Sequence, residues 1–148
     1  GVIGKNTLDK KVTLMGWVQS RRDHGGVIFI DLRDHSGIAQ VVFNPDISPE
    51  SHVLAHSLKD EYVIAITGEV AERPADSINE KLPTGFYEVM ADTLKILNES
   101  KPLPFPIEDN IDAGETTRLK YRYLDLRRGS MRKRLIMRHQ LSATIRSF

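Results

Sequence analysis

The alternating segment VIFIDLRD, residues 27–34, most constrains what this chain can fold into. Side chains two positions apart lie on the same face of a β-strand, so Ile28, Ile30 and Leu32 share one face. Phe29 falls on the opposite face, among polar side chains. An aromatic ring in that setting suits a surface on which unpaired bases stack. The segment therefore predicts a half-buried strand with an aliphatic core face and a binding face.

The rest of the first hundred residues predicts four more strands and one helix. The Gly-Gly pair in 21–26 predicts a turn over that range, because glycine adopts positive φ at little cost. Ser48 as N-cap and Pro49 in the first helical position predict a helix over 49–59. Five strands with one short helix between the third and fourth predict an all-β OB-fold barrel, and the helix position disfavours an SH3-like barrel. The predicted strands are 12–18, 27–34, 38–43, 62–70 and 86–97.

A proline-rich stretch marks the end of the predicted barrel. Pro102, Pro104 and Pro106 disfavour a helix or a central strand, and a linker is the natural interpretation. Beyond it the pattern turns helical, with Ser130 as the predicted N-cap of a helix that continues to Phe148. The predicted division is an OB-fold domain at 1–100, a linker at 101–117 and a helical segment at 118–148.

Charge is divided unevenly along the chain. Residues 1–113 hold 11 Lys and Arg against 18 Asp and Glu, whereas residues 114–148 hold 10 against 2. A basic block of this kind either binds nucleic acid or forms a solvated helix that packs against an acidic surface. The absence of cysteine excludes disulfides and thiolate metal sites, and it fits a cytoplasmic protein. No apolar run is long enough for a membrane span, so no membrane partner is predicted.

Catalytic and metal-binding patterns are not found in the sequence. There is no glycine-rich phosphate loop, and the five histidines are scattered. His52 and His56 lie four apart on the predicted helix, but no third metal ligand is evident. We therefore predict neither a catalytic residue nor a metal site, and no cofactor, within these 148 residues.

Five side chains in the first hundred residues have the chemistry of base recognition. Phe29 can stack on a base, although a core position would explain it too. The amide of Gln40 can both donate to and accept from a base edge, and the carboxylate of Glu88 can accept from guanine. Arg21 and Arg22 can hold phosphate, but neighbours on a strand face opposite ways, so one of the two is predicted to contact ligand.

Two segments together resemble a known family. GWVQSRRDHGGVIFIDLRDHSGIAQVVF, residues 16–43, closely resembles the N-terminal anticodon-binding domain of bacterial-type aspartyl-tRNA synthetases. RLKYRYLDLRR, residues 118–128, is similar to the signature that precedes the catalytic domain of that family. Both lie in the family's order, and the resemblance covers essentially the whole chain. The anticodon domains of asparaginyl- and lysyl-tRNA synthetases, and a free-standing OB module without sequence preference, are the alternatives.

The resemblance implies roles for seven residues. Phe29 would stack on the middle anticodon base and Gln40 would read it, while Glu88 would read the first base, a guanine. Arg22 would make a further anticodon contact. Loop positions that approach the anticodon stem-loop match Arg73 and Asn79, and a position associated with discrimination at the third base matches His24.

The resemblance also implies a larger enzyme. Members of the family are class II homodimers that join aspartate to tRNA(Asp) with ATP and Mg²⁺, and some also charge tRNA(Asn). The three catalytic motifs of the family are expected beyond Phe148. The helical segment at 118–148 would then be the start of the catalytic domain, and the chain itself would bind the anticodon and catalyse nothing.

Overall fold

The computed structural model describes residues 3–148. The chain divides into two compact units, Gly1–Lys101 and Pro102–Phe148. The first unit contains two short 3₁₀ turns, Lys5–Thr7 and Ala75–Ser77. Its main elements are β1 (Lys11–His24), β2 (Val27–Arg33), β3 (Ile38–Phe43), α1 (Pro49–Ala55), β4 (Val63–Glu72) and β5 (Tyr87–Asn98). The predicted five strands, with one helix between the third and fourth, are confirmed.

The five strands pair in a closed ring of hydrogen bonds, in the order β1-β2-β3-β5-β4 with β4 returning to β1. Only the β3–β5 pair is parallel among the strands of the described residues. β1 is long enough to pair with β4 along its first half and with β2 along its second half, and its register shifts between Val18 and Ser20. A bulge of this kind bends a strand, so that β1 can pair with both β4 and β2.

Glycine is required where neighbouring strands approach most closely. A Cβ at Gly16 would collide with the backbone carbonyl oxygen of Arg33, and one at Gly68 with that of Met90. Gly68 also lies where the register of β4 against β5 shifts. These are the two interior glycines of the predicted strands, and both permit a close backbone approach that any side chain would block.

The core has the alternation predicted for β2. Ile28 and Ile30 are fully buried and Leu32 nearly so, whereas Phe29 is half-buried on the other face. Burying one such aliphatic side chain contributes about 1.5–3 kcal/mol. The same core includes aliphatic and aromatic residues from all five strands and α1, among them Val18, Val41, Phe43, Ala55, Ile64, Ile66, Val70 and Val89.

Two predicted boundaries in the first unit are wrong by more than two residues. The turn predicted over 21–26 is only two residues long, because β1 continues to His24, which pairs with Val27. Gly25 and Gly26 have φ of +61° and +81°, and positive φ at both central residues suits a tight two-residue hairpin.

The predicted helix over 49–59 ends early, at Ala55. The N–H groups of Ser57 and Leu58 donate to carbonyl oxygens three residues earlier. The Ser57 hydroxyl also donates to the carbonyl oxygen of Leu54. The last turn therefore tightens, and the helix stops. Its predicted start is confirmed, with the Ser48 side chain accepting from the N–H of Ser51.

The second unit contains three helices: α2 (Glu115–Lys120), α3 (Arg122–Asp125) and α4 (Gly129–Ser147). No helix or strand occurs between residues 99 and 114. Ser130 is not the N-cap of α4, since the helix begins at Gly129 and the N–H of Ser130 donates to Oδ1 of Asp109 at 2.7 Å. Hydrogen bonds from Ser130 lower the pKa of Asp109. Within residues 3–148, no helix is both long and apolar enough to span a membrane.

A buried ion pair organises the second unit. Asp125 is 1% exposed and accepts from Nη1 of Arg128 at 2.7 Å and from Nη1 of Arg122 at 2.8 Å. Arg128 also donates to the carbonyl oxygens of Glu108 and Asp109, both at 2.8 Å. The guanidinium of Arg128 thus ties the irregular segment before α2 to the start of α4.

Candidate nucleic-acid interface

Strand register places five side chains of β1, β2, β3 and β5, one aromatic and four polar, at neighbouring positions on one face of the sheet. Arg22 lies opposite Phe29 across the β1–β2 pair. Asp31 lies opposite Gln40 across β2–β3, and Gln40 lies opposite Glu88 across β3–β5. The alternation that turns the aliphatic side chains inward therefore places these five on adjoining sites of the other face.

These side chains border a groove of about 480 Å³, which we call the polar groove. Six of the seven predicted site residues line it, and the seventh, Glu88, is hydrogen-bonded to one of them. The sequence prediction did not include Asp31, although the strand alternation had placed it on the face of Phe29. The lining residues are Arg22, Asp23, His24, Phe29, Asp31, Gln40, Arg73, Ser77, Asn79 and Leu82.

A chain of hydrogen bonds crosses the polar groove. Oγ of Ser20 donates to Asp31 at 2.7 Å, and Nη2 of Arg22 donates to the same carboxylate at 2.9 Å. Nη2 of Arg22 also reaches Oε1 of Gln40 at 3.4 Å, and Nε2 of Gln40 donates to Oε2 of Glu88 at 2.8 Å. The Gln40 amide is thus fixed at both ends. It keeps one N–H and one lone pair for a ligand, because an amide has two of each.

Arg73 contributes a buried donor to the same groove. It is 7% exposed, and its Nε donates to the carbonyl oxygen of Tyr87 at 3.0 Å. Its Nη2 is buried without a hydrogen-bond partner among the described residues. Burial lowers the pKa of the Arg73 guanidinium, while the carboxylates of Glu88 and Asp31 raise it. A buried N–H without an acceptor is costly, and an oxygen or ring nitrogen of a ligand in the groove would satisfy it.

The predicted site residues form a buried floor and an exposed rim. Gln40, Arg73 and Glu88 are each less than 9% exposed, and the ring of Phe29 is half-buried beside them. A base on that ring would be in reach of fixed polar groups. The exposed rim residues are Arg22, His24 and Asn79.

The loop between β4 and β5 has its own framework. The N–H of Asn79 donates to the carbonyl oxygen of Gly85 at 3.1 Å, and that of Gly85 donates to the carbonyl oxygen of Leu82 at 2.9 Å. A Cβ at Gly85 would collide with the carbonyl oxygen of Asn79. The hydroxyl of the buried Thr84 donates to the carbonyl oxygen of Ile38, which ties the loop to β3. Asn79 is therefore presented by an ordered loop, in spite of the polar composition of that segment.

Glu88 gives the stability of the fold a specific pH dependence. Burial raises the pKa of its carboxyl above the usual 4.5, and the Gln40 hydrogen bond and the Arg73 charge offset part of that rise. Between the usual and the raised pKa, the folded chain holds a proton that the unfolded chain has lost. This group's contribution to stability is therefore full below pH 4.5 and is lost as the pH rises through the raised pKa.

Replacing Glu88 with Gln should remove that contribution. The difference in free energy of unfolding between wild type and Glu88→Gln, measured by urea titration, should shift against the wild type as the pH rises above 4.5. Glu69→Gln, an exposed carboxylate on β4, controls for the loss of one negative charge. A wild-type advantage that grows with pH would show that the ionised form of Glu88 is the favoured one in the fold.

No metal centre accompanies the groove in the part of the chain that the structure describes. Groups of three or more His, Cys, Asp or Glu side chains able to hold a metal ion are not found there. His52 and His56 do lie together, with ring centroids 4.8 Å apart and edge to face. Their contacts are with each other and with the turn between β1 and β2, which is described below.

Comparisons with known proteins bear on the fold and the family of the chain. The chain is 56% identical over 148 residues to a protein named aspartate–tRNA(Asp/Asn) ligase from Desulfatibacillum aliphaticivorans, of which it covers 25%. It is similar in structure to asparaginyl-tRNA synthetase from Pyrococcus horikoshii complexed with asparaginyl-adenylate, with a TM-score of 0.68 and 30% identity over 82% of this chain and 26% of that one. An aspartyl-tRNA synthetase from Entamoeba histolytica, at 22% identity, supports the fold alone, with a TM-score of 0.73 over 86% of this chain and 31% of that one.

The chain spans about a quarter of the length of the curated relatives that it matches. The family whose sequence model matches it is described as an OB-fold nucleic acid binding domain of the tRNA anticodon type, and the match covers residues 12–97. That range contains all five strands apart from the ends of β1 and β5, and all seven predicted site residues. The chain therefore belongs to the tRNA anticodon family of OB-fold nucleic acid binding domains.

Proposed function

We propose that this chain is the N-terminal anticodon-binding region of an aspartate–tRNA ligase and that the polar groove holds the anticodon. The observation that carries the proposal is the convergence of the Phe29 ring with the hydrogen-bonded chain from Arg22 through Gln40 to Glu88. The closed ring of strands is then an OB barrel, which presents its second and third strands to oligonucleotides. The relatives' names and the match to the aspartyl family in residues 16–43 support the choice of amino acid.

Four residues have separate tasks at the centre of this proposal. Phe29 stacks on the middle anticodon base, and Gln40 reads the edge of that base with its remaining N–H and lone pair. Glu88 accepts from the N–H groups of a guanine at the first position. Arg22 holds the Gln40 amide in place and adds positive charge near the phosphate backbone of the RNA.

The three other predicted residues act around that centre. The buried Nη2 of Arg73 finds its acceptor on the bound RNA. Asn79 contacts the anticodon stem-loop from the ordered β4–β5 loop, and His24 lies at the rim where the third base would be read.

The enzyme that would contain this region joins aspartate to tRNA with ATP. We propose that residues 101–117 link the anticodon domain to a class II catalytic domain that starts at 118–148, and that the enzyme works as a homodimer in the cytoplasm. ATP and Mg²⁺ would serve that catalytic domain. Relatives named for both tRNA(Asp) and tRNA(Asn) support the charging of both, which aspartylation assays on the two tRNAs with the longer protein would test.

Titration with a stem-loop that carries the aspartate anticodon tests the proposed function. Wild type should bind it more tightly than an unstructured strand of the same composition, because the groove holds fixed hydrogen-bonding groups and not only a basic surface. Equal binding of the two would favour an OB module without sequence preference, and binding of neither would refute the proposal.

A further inference from the structure

Helix α1 lies outside the polar groove but contacts the turn that follows the rim residue His24. Nε2 of His52 is 2.7 Å from the carbonyl oxygen of Gly26. A carbonyl oxygen only accepts, so Nε2 of His52 carries the proton and donates it to this bond. The ring of His56 packs edge to face against that of His52, and its Nδ1 is 4.0 Å from Oδ2 of Asp23. Gly26 in the turn and Asp23 before it are thus in contact with α1 and with its C-cap residue, respectively.

The helix itself is held firmly by the core of the first unit. The hydroxyl of Ser51 donates to the carbonyl oxygen of Asp92 in β5 at 2.9 Å, and Ala55 is fully buried. The turn itself is exposed, and a Cβ placed on Gly25 or Gly26 would meet nothing within 4 Å. The two histidines therefore connect a rigid element to a glycine turn that is otherwise open to solvent.

The residue just before the turn is His24, which lines the polar groove together with Asp23. His24 pairs with Val27 across the turn, and the bond from His52 to the Gly26 carbonyl is a further restraint on this end of the hairpin. We propose that His52 and His56 are positioning residues that hold the β1–β2 turn and thereby fix His24 at the rim of the anticodon site. This inference rests on the proposed function, because it assigns α1 a part in the same site.

The test compares affinities for the aspartate anticodon stem-loop at equal thermal stability. His52→Leu should bind about threefold to tenfold more weakly than wild type, the range expected for one hydrogen bond. His52→Gln should restore binding, because its amide nitrogen can donate to the Gly26 carbonyl. His35→Leu makes the same change at an exposed histidine in the β2–β3 turn and should leave affinity unchanged.

A double-mutant cycle separates positioning from a general effect on folding. In a His24→Ala background, His52→Leu should cost no further affinity, since the side chain that it positions is gone. Additive losses, a failure of His52→Gln to restore binding, or an unchanged affinity in His52→Leu would each overturn the positioning role. If wild type does not bind the stem-loop at all, the proposed function fails instead, and the two failures are therefore distinguishable.

Discussion

Phe29→Ala should weaken binding to the aspartate anticodon stem-loop by about 1–3 kcal/mol, or roughly fivefold to 150-fold, the range of one base stacked on an aromatic ring. The ring is half-buried on the face of β2 that lines the polar groove, next to Gln40 and Arg73. Alanine removes the platform and leaves the neighbouring hydrogen-bonding groups in place. The change in affinity is measured by titration of the labelled stem-loop at constant salt, because phosphate contacts make affinity dependent on ionic strength.

A second phenylalanine provides the control for Phe29→Ala. Phe86 is 49% exposed and does not line the polar groove, so Phe86→Ala makes the same chemical change elsewhere in the first unit. It should leave the affinity unchanged. An equal loss in both variants, or no loss in Phe29→Ala with its thermal stability intact, would show that the ring does not stack on RNA.

The second large effect concerns stability and not binding. Asp125→Ala should destabilise the second unit by about 3–5 kcal/mol, the cost of leaving the partner of a buried charge unpaired. Asp125 is 1% exposed, and the Arg128 that it would leave behind has a side chain that is only 9% exposed. Hydrogen exchange of the backbone amides in residues 102–148 measures the loss locally, which avoids treating a chain of two units as a single transition.

Arg122→Ala tests the second ion pair of Asp125, whose arginine is exposed, apart from the buried pair with Arg128. The side chain of Arg122 is 48% exposed, and surface ion pairs contribute about 0–1 kcal/mol, so the expected loss is small. Arg128→Ala should lower the free energy of unfolding about as much as Asp125→Ala. It removes the arginine that pairs with the buried carboxylate and donates to the carbonyl oxygens of Glu108 and Asp109. Similar effects for Arg122→Ala and Asp125→Ala would contradict this division of roles.

Strand alternation was the most informative part of the sequence. In β2 it separated Ile28, Ile30 and Leu32 from Phe29 correctly, because the period of two is a property of every extended strand. The turn between β1 and β2 was predicted too long, since a glycine pair marks a turn but does not say how far the flanking strand continues. The end of α1 depended on hydrogen bonds of Ser57 that have no clear sequence signal.

The groove shows a similar division between what sequence can and cannot predict. Residue chemistry pointed to Phe29, Gln40, Glu88 and one arginine of the Arg21-Arg22 pair, and the family resemblance added the rest. Six of the seven predicted residues line the same groove. The bond from Gln40 to Glu88 joins residues 48 positions apart, and the parallel β3–β5 pair that brings them together could not be read from local pattern. Asp31 was not among the predicted site residues, yet its carboxylate accepts a hydrogen bond from Arg22 and holds that side chain in place. The contact of His52 with Gly26 likewise follows from tertiary packing.

The most direct test of the central claim is discrimination at one base. Two stem-loops are titrated against wild type, one with the aspartate anticodon and one in which only the middle uracil is replaced by cytosine. With Phe29 stacked on that base and Gln40 fixed by Arg22 and Glu88, the first should bind about tenfold more tightly or better, in line with about 1–3 kcal/mol for a mismatched base edge. Equal affinity for the two stem-loops would contradict the assignment of the polar groove as an anticodon site.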